Sequence, residues 1–377
     1  MQPIVLSALL AALWTPQGHA QTQPNAQAPV RSPEVGPDRR VTFRVRAPKA
    51  SEVILSGEFM SGEKSLQKGE DGIWTVTVGP VEPEVYNYNF TIDGVRTIDP
   101  GNASVKSGST PNTIASVLEV RGERPAFYDG QTVAHGEIHT HWYHSKSLEA
   151  LRRLTVYTPP GYERGGQTRY PVLYLLHGAN ADETAWTRFG RVNLILDNLL
   201  AAGTAKAFVV VMPFGYGVPP GTAPPPAPGT PSRNNILFSR DLLEDVIPFV
   251  QSHYSVATDR DHRAIAGLSM GGGQALSIGL GHVELFGYVA GFSAALRPPD
   301  FSKVVGPLSA DVSATNQKLH LLWVGCGKED SLFPAAKSFS DTLKENKIRH
   351  VFRESGGAHT WIVWRRYLNE VAPLLFQ

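Results

Sequence analysis

The stretch "AGLSMGGGQAL", residues 266–276, sets a serine and a methionine between Gly267 and three further glycines. Residues 267–271 fit G-x-S-x-G, and the surroundings give that short pattern its meaning. Ahead of Ser269, "HRAIAGL" (262–268) is an apolar run of strand length; behind it, "MGGGQALSIGL" (270–280) has the length and stripe of a helix. A serine at such a strand-to-helix turn sits in strained backbone, where neighbouring side chains would strike the adjoining strand and helix; Gly267 and Gly271 remove them. The helix behind it aims free N–H groups and its positive dipole end at the hydroxyl. The competing reading is a serine N-cap with glycines for tight packing.

Working outward, "PVLYLLHG" (171–178), "AFVVVMP" (207–213), "LHLLWVG" (319–325) and "IRHVFRES" (348–355) also read as strands, several of them almost wholly apolar. Such runs suit a parallel sheet covered on both faces. Between them, 192–202, 239–253, 271–281 and 334–345 have helical length and stripes. Leu242, Leu243, Val246, Ile247 and Val250 give the clearest face, and Pro248 within it predicts a kink. The fold class is therefore α/β over residues 136–377.

The N-terminal part changes period. Val41, Phe43 and Val45 alternate with polar residues, as do Trp74, Val76 and Val78, and then Tyr86, Tyr88, Phe90 and Ile92. Asp93-Gly94 offers a hairpin turn, and 113–120 fits another strand. Several strands with no helical period between them predict a small immunoglobulin-like β-sandwich over 39–121, joined to the α/β part by a linker at 122–135. Trp74, Tyr86 and Tyr88 could stack on sugar rings, but their periodicity assigns them to the core. Residues 21–38 are polar and proline-bearing and read as a flexible linker. Residues 1–20 hold an apolar run too short to span a bilayer and a small-residue cleavage site, which predicts a signal peptide and a secreted or periplasmic protein.

Lys+Arg number 35 and Asp+Glu 34, and no basic stripe stands out, which argues against nucleic acid as a partner. No later segment reaches transmembrane length, so no membrane partner is expected. The 29 Pro and 36 Gly predict many turns and loops. A single cysteine, Cys326, excludes an internal disulfide, and its apolar strand makes it a packing residue.

If Ser269 is a nucleophile, an acid and a histidine should follow it in that order. "LHLLWVGCGKEDSLF" is a strand running into a loop with Glu329 and Asp330; "FRESGGAHTWIVW" is a later strand, a glycine turn and His359. Both sit past strand C-termini, the edge where such sheets gather their sites. Asp330 is the preferred acid and Glu329 its rival. The oxyanion donors expected are the backbone N–H groups of Met270 and of Ala179, the latter following His177-Gly178. His177 itself reads as a support of its loop. The loop "PFGYGVPPGTAPPPAPGTPS" (213–232), with eight prolines, follows a strand end, so Phe214 and Tyr216 are candidate substrate contacts. Trp361 is a candidate pocket wall; the alternative has Trp361 and Trp364 packing the last helix. His139, His141 and His144 lack a carboxylate or cysteine at a ligand spacing and are not assigned to a metal.

With these residues in place, "YLLHGANADETAW", "FSRDLLEDVIPFVQSHYSV", "DRDHRAIAGLSMGGGQAL", "GCGKEDSLF" and "GGAHTWIVWRRYL" together resemble carbohydrate esterase family 1, the feruloyl and acetyl-xylan esterases of the esterase D and enterochelin-esterase-like superfamily. The first domain resembles the family-48 carbohydrate-binding-module-like, early-set domain that precedes such enzymes. The resemblance implies an α/β-hydrolase with nucleophile Ser269, acid Asp330, base His359 and oxyanion donors Ala179 and Met270. It implies no cofactor and an acylated polysaccharide or oligosaccharide as substrate. A siderophore or other small ester, acyl transfer to a sugar, and an inactive carbohydrate-binding protein are the rival readings.

Overall fold

The computed structural model describes residues 29–106, 113–222 and 232–377. The expected signal peptide lies outside the described residues. Eight strands form the larger sheet: β1 (Glu137–Ser145), β2 (Ala150–Thr158), β3 (Val172–Leu176), β4 (Val209–Pro213), β5 (Arg263–Leu268), β6 (Tyr288–Phe292), β7 (Leu321–Gly327) and β8 (Val351–Ser355). Their spatial order is β1-β2-β4-β3-β5-β6-β7-β8. Strands β3 to β8 run parallel, as the apolar sequences of β3 to β7 predict, but the sheet is mixed, because β2 is antiparallel to both β1 and β4.

Alternate side chains of the central strands enter two cores. Val172, Tyr174 and Leu176 of β3 join Val209, Val211 and Ile265 on one side. Leu173 and Leu175 join Val210, Met212, Ala266 and Leu268 on the other. Burial on both faces explains why these strands carry no polar alternation. The helix predicted from Ser239 begins earlier, at Arg233, where the Ser232 side chain accepts from the Asn235 amide as an N-cap. It runs through a π-helical turn, Asp241–Val246, into Ile247–His253. The wider turn lies immediately ahead of Pro248, where the missing N–H and the ring would otherwise disrupt regular helix.

The N-terminal sheets are antiparallel. One pairs Glu34–Val35, Val41–Arg46, Ile73–Val78 and Gln67–Lys68; the other orders Glu63–Ser65, Val53–Gly57, Glu84–Ile92, Ala115–Val120 and Val105–Lys106, with Val95–Thr97 beside Glu84–Ile92. Phe43, Leu55, Trp74, Tyr86, Tyr88 and Phe90 fill the space between them. The three aromatics weighed above as sugar platforms are core residues, as their period predicts.

Of the linker predicted at 21–38, residues 21–28 lie outside the described residues; the remainder and the segment 122–135 are held by contacts. Glu34–Val35 pairs with the strand Val41–Arg46, and the Ser32 hydroxyl donates to buried Asp99, so the segment from Ser32 to Val35 packs on the sandwich. In 122–135, Tyr128 enters the hydrolase core, Asn198 Nδ2 donates to the carbonyls of Phe127 and Asp129, and His135 Nδ1 lies 2.8 Å from Asp197. Aromatic anchors and side-chain hydrogen bonds hold this segment down, which its short polar runs do not reveal.

Candidate active site

Ser269 follows β5 directly and starts the helix Ser269–Gly281 with φ at 52°, a left-handed conformation costly for a side-chain-bearing residue. The glycines make that turn fit. A Cβ on Gly267 would lie 2.4 Å from the Gly271 carbonyl oxygen, and one on Gly271 would lie 2.4 Å from that of His177. These neighbours are backbone atoms, so no rotamer change relieves either clash. At the helix start the Met270 N–H lies within the first turn, where amides have no intrahelical acceptor.

His359 joins the two ends of the constellation. Its Nε2 lies 3.0 Å from Ser269 Oγ and its Nδ1 lies 2.8 Å from Asp330 Oδ2. Asp330 is buried. Burial alone would raise its carboxyl pKa, but hydrogen bonds from His359, the Leu332 amide and the Ser293 hydroxyl outweigh it and hold the group below the usual carboxylate range. The structure thus places Asp330 on the histidine. Glu329 turns instead to the glycine turn and accepts from the Gly357 amide at 2.5 Å.

The loop after β3 is fixed by His177. The Gly215 amide donates to its Nε2 at 2.8 Å, which leaves the Nδ1 proton to donate to the Gly178 carbonyl at 2.7 Å. Complete burial pushes its pKa down to about 4, so the ring is neutral across ordinary pH. Gln274, on the helix behind Ser269, donates to the Gly215 carbonyl at 3.0 Å, tying the same glycine from the other side. Tyr216 accepts from the Asn180 amide at 2.7 Å and so braces the segment that carries Ala179. Phe214 packs against the His177 ring and the Arg152 guanidinium, a supporting position.

Two cavities meet at Ala179. One, about 160 Å³, is lined by Ala179, Ser269, His359, Trp361 and Trp364 together with residues of the sandwich. The other, about 270 Å³, has a mixed wall: Tyr216, Val218, Pro219 and Pro220 on one part, Ser232, Asn234 and Asn235 on another, with Ala179 and Met270. Trp361 both walls the first cavity and packs edge-on against Trp186, so its two predicted roles coexist. Residues 223–231 of the proline-rich loop lie outside the described residues.

Sequence reasoning missed Ser293, Gln274 and the sandwich's share of the first cavity. Ser293 left no pattern beyond its place past an apolar strand. Away from the site, His141 Nε2 lies 2.5 Å from the Tyr254 hydroxyl, and Cys326 is buried. Among the described residues no helix is long and apolar enough to cross a membrane.

A strand–turn–helix elbow in a sheet of this order defines an α/β-hydrolase. The chain belongs to the Esterase family, whose model matches residues 145–375, and its class is that of the carboxylic ester hydrolases. It is 32% identical over 351 residues to an endo-1,4-beta-xylanase/feruloyl esterase of Xylanibacter ruminicola, covering 92% of this chain and 46% of that protein. The chain spans less than two thirds of the length of the curated relatives it matches. A CE1 ferulic acid esterase from Anaeromyces mucronatus, solved in complex with ferulic acid, is 26% identical with a TM-score of 0.57, covering 69% of this chain and 98% of that one. The enterobactin esterase of Shigella flexneri shares the fold over 89% of this chain and 91% of its own, at 18% identity and a TM-score of 0.66.

Proposed function

We propose that the protein is a serine esterase that removes feruloyl or acetyl groups from plant cell-wall saccharides such as xylan through an acyl-enzyme. The observation that carries the reading is the continuous line of hydrogen-bonding contacts Ser269–His359–Asp330, at 3.0 and 2.8 Å, beside the elbow amides. His359 Nε2 takes the proton of Ser269 Oγ as that oxygen attacks the ester carbonyl. The Ala179 and Met270 amides receive the developing oxyanion, and Asp330 fixes the imidazole tautomer and stabilises the imidazolium. His359 then protonates the leaving alkoxide, and water repeats the sequence to release the acid and restore Ser269.

The feruloyl reading is supported by the xylanase/feruloyl esterase relative and by the ferulic acid complex of the Anaeromyces enzyme. It is supported also by the second cavity, where Tyr216, Val218, Pro219 and Pro220 offer apolar contacts and Ser232, Asn234 and Asn235 polar ones, a mixed wall that suits a feruloyl ring with its hydroxyl and methoxy groups. The predicted signal peptide would place the enzyme outside the cytoplasm, where polymeric substrate is met. Measuring kcat/KM on feruloylated and acetylated xylo-oligosaccharides side by side tests this; a preference of tenfold or more, about 1.4 kcal/mol, names the acyl group. Little turnover of either turns the reading to siderophore esters or to acyl transfer.

A further inference from the structure

Ser293 follows β6, is wholly buried and has φ at 45°. That left-handed conformation is costly for a residue with a side chain and persists only where the surroundings hold it. The Ser293 amide donates to the Gly325 carbonyl at 2.7 Å, which ties the residue to β7, the strand that leads into the Asp330 loop. Glycine would take this backbone without strain, so what a serine adds at the position is its hydroxyl.

Two partners set the direction of that hydroxyl. Trp364 Nε1 lies 3.1 Å from Ser293 Oγ, and an indole nitrogen can only donate. The Asp330 carboxylate can only accept; against the effect of burial, the hydrogen bonds it receives, Ser293's among them, keep it ionised. The hydroxyl proton is therefore committed to Asp330, whose Oδ2 in turn meets His359 Nδ1 at 2.8 Å. The run closes on itself, because the Trp364 ring packs edge-on against the His359 ring, with centroids 4.9 Å apart and planes at 88°. One oxygen thus meets both groups that bear on the imidazole. The Cys326 thiol lies 4.0 Å from the same oxygen, and burial pushes its pKa up to about 12, so it stays neutral and adds no competing charge.

We infer that Ser293 is a positioning residue for turnover, whose hydroxyl orients the Asp330 carboxylate and the Trp364 indole and through them sets the His359 ring between Ser269 and Asp330. The inference rests on the proposed serine mechanism and adds a residue to it. Without the hydroxyl, the indole N–H loses its acceptor and Asp330 loses a donor, both in buried surroundings. The Leu332 amide still donates to Asp330 Oδ1 at 2.9 Å, so the carboxylate is loosened, not released. Ser293 lines neither of the two cavities that meet at Ala179, so its loss should fall on kcat and spare KM.

The test measures kcat and KM on an activated aryl ester for Ser293→Gly, which suits the backbone, and Ser293→Ala, which keeps the Cβ. Each is made alone and together with Asp330→Asn, in the full chain. Each single variant should lower kcat about tenfold with KM within about twofold, the loss expected for one hydrogen bond to a charged group. Once Asp330 is replaced, neither should lower kcat by more than about twofold, because the group through which Ser293 acts is gone. A purely structural role would cost the same factor in both backgrounds. That result, or wild-type kcat in the Ser293 variants, overturns this inference and leaves the serine mechanism standing. Wild-type kcat in Asp330→Asn overturns the mechanism and the inference together.

Discussion

The Glu84 carboxylate of the sandwich accepts a 2.8 Å hydrogen bond from Arg365 Nη2, on the helix that begins two residues after His359. Both side chains are buried, and the same guanidinium donates to the carbonyls of Val85 and Phe189. One residue therefore ties the sandwich, the loop before Arg191 and the helix of Trp361 together. Removing Arg365 leaves buried Glu84 with only the long 3.4 Å contact from the half-exposed Arg366, so the loss is expected near the lower end of the ~3–5 kcal/mol that an unpaired buried charge costs. Arg365→Met should show that loss in urea unfolding, and Glu84→Gln with Arg365→Met should recover part of it. A loss below about 1 kcal/mol in the single variant would contradict the interpretation.

Asp330 and Glu329 are adjacent in sequence but meet different groups. Asp330→Asn should lower kcat by about 10⁴-fold with the fold intact, because the imidazole loses its orienting carboxylate. Glu329→Gln keeps an oxygen to accept from Gly357 and should stay within about tenfold of wild type. Steady-state kinetics on one aryl ester decides it, and the reverse ranking would assign the acid to Glu329.

His177 makes stability depend on pH. Its pKa is near 4 in the folded protein and 6.5 in its absence of burial, so the unfolded chain takes up the proton first. Stability from this residue is fully present above the unfolded value and falls as pH drops towards 4, by about 3 kcal/mol over that window. Unfolding free energies at pH 7 and 4.5 should differ less in His177→Gln than in the wild type. Equal slopes in the two proteins would refute the assignment.

Gly271 has no room for a methyl group. In Gly271→Ala the new Cβ meets the His177 carbonyl oxygen, so either the elbow or the oxyanion loop must shift. Displacement of either by an ångström is expected to cost about 10²-fold in kcat. Unchanged kcat and melting temperature would mean that the elbow tolerates the added group.

Ser269, Asp330 and His359 were legible because each sits past an apolar strand, where chain order and strand ends carry the information. The central strands were legible for the same reason, since burial on both faces removes polar residues. Strands β1 and β2 were less so: β1 alternates exposed and half-buried residues along an outer edge. The Ser293–Asp330 contact joins two loops brought together by strand order, and no local pattern announces it. Asn87 stood in view as an outward partner of Tyr86 and Tyr88. That it faces the catalytic cavity depends on how the two domains dock, through the pair Glu84–Arg365 and the pair Arg191–Glu119 at 2.7 Å, contacts that sequence periodicity does not encode.

In the proposed mechanism Ser269 carries the acyl group during turnover. Acid-quenching the enzyme milliseconds after mixing with an aryl ferulate, then mapping its peptides by mass spectrometry, tests this directly. A feruloyl adduct on Ser269 should build up within the first turnover and be absent from Ser269→Ala. An unmodified Ser269 peptide together with undiminished turnover in Ser269→Ala would contradict it.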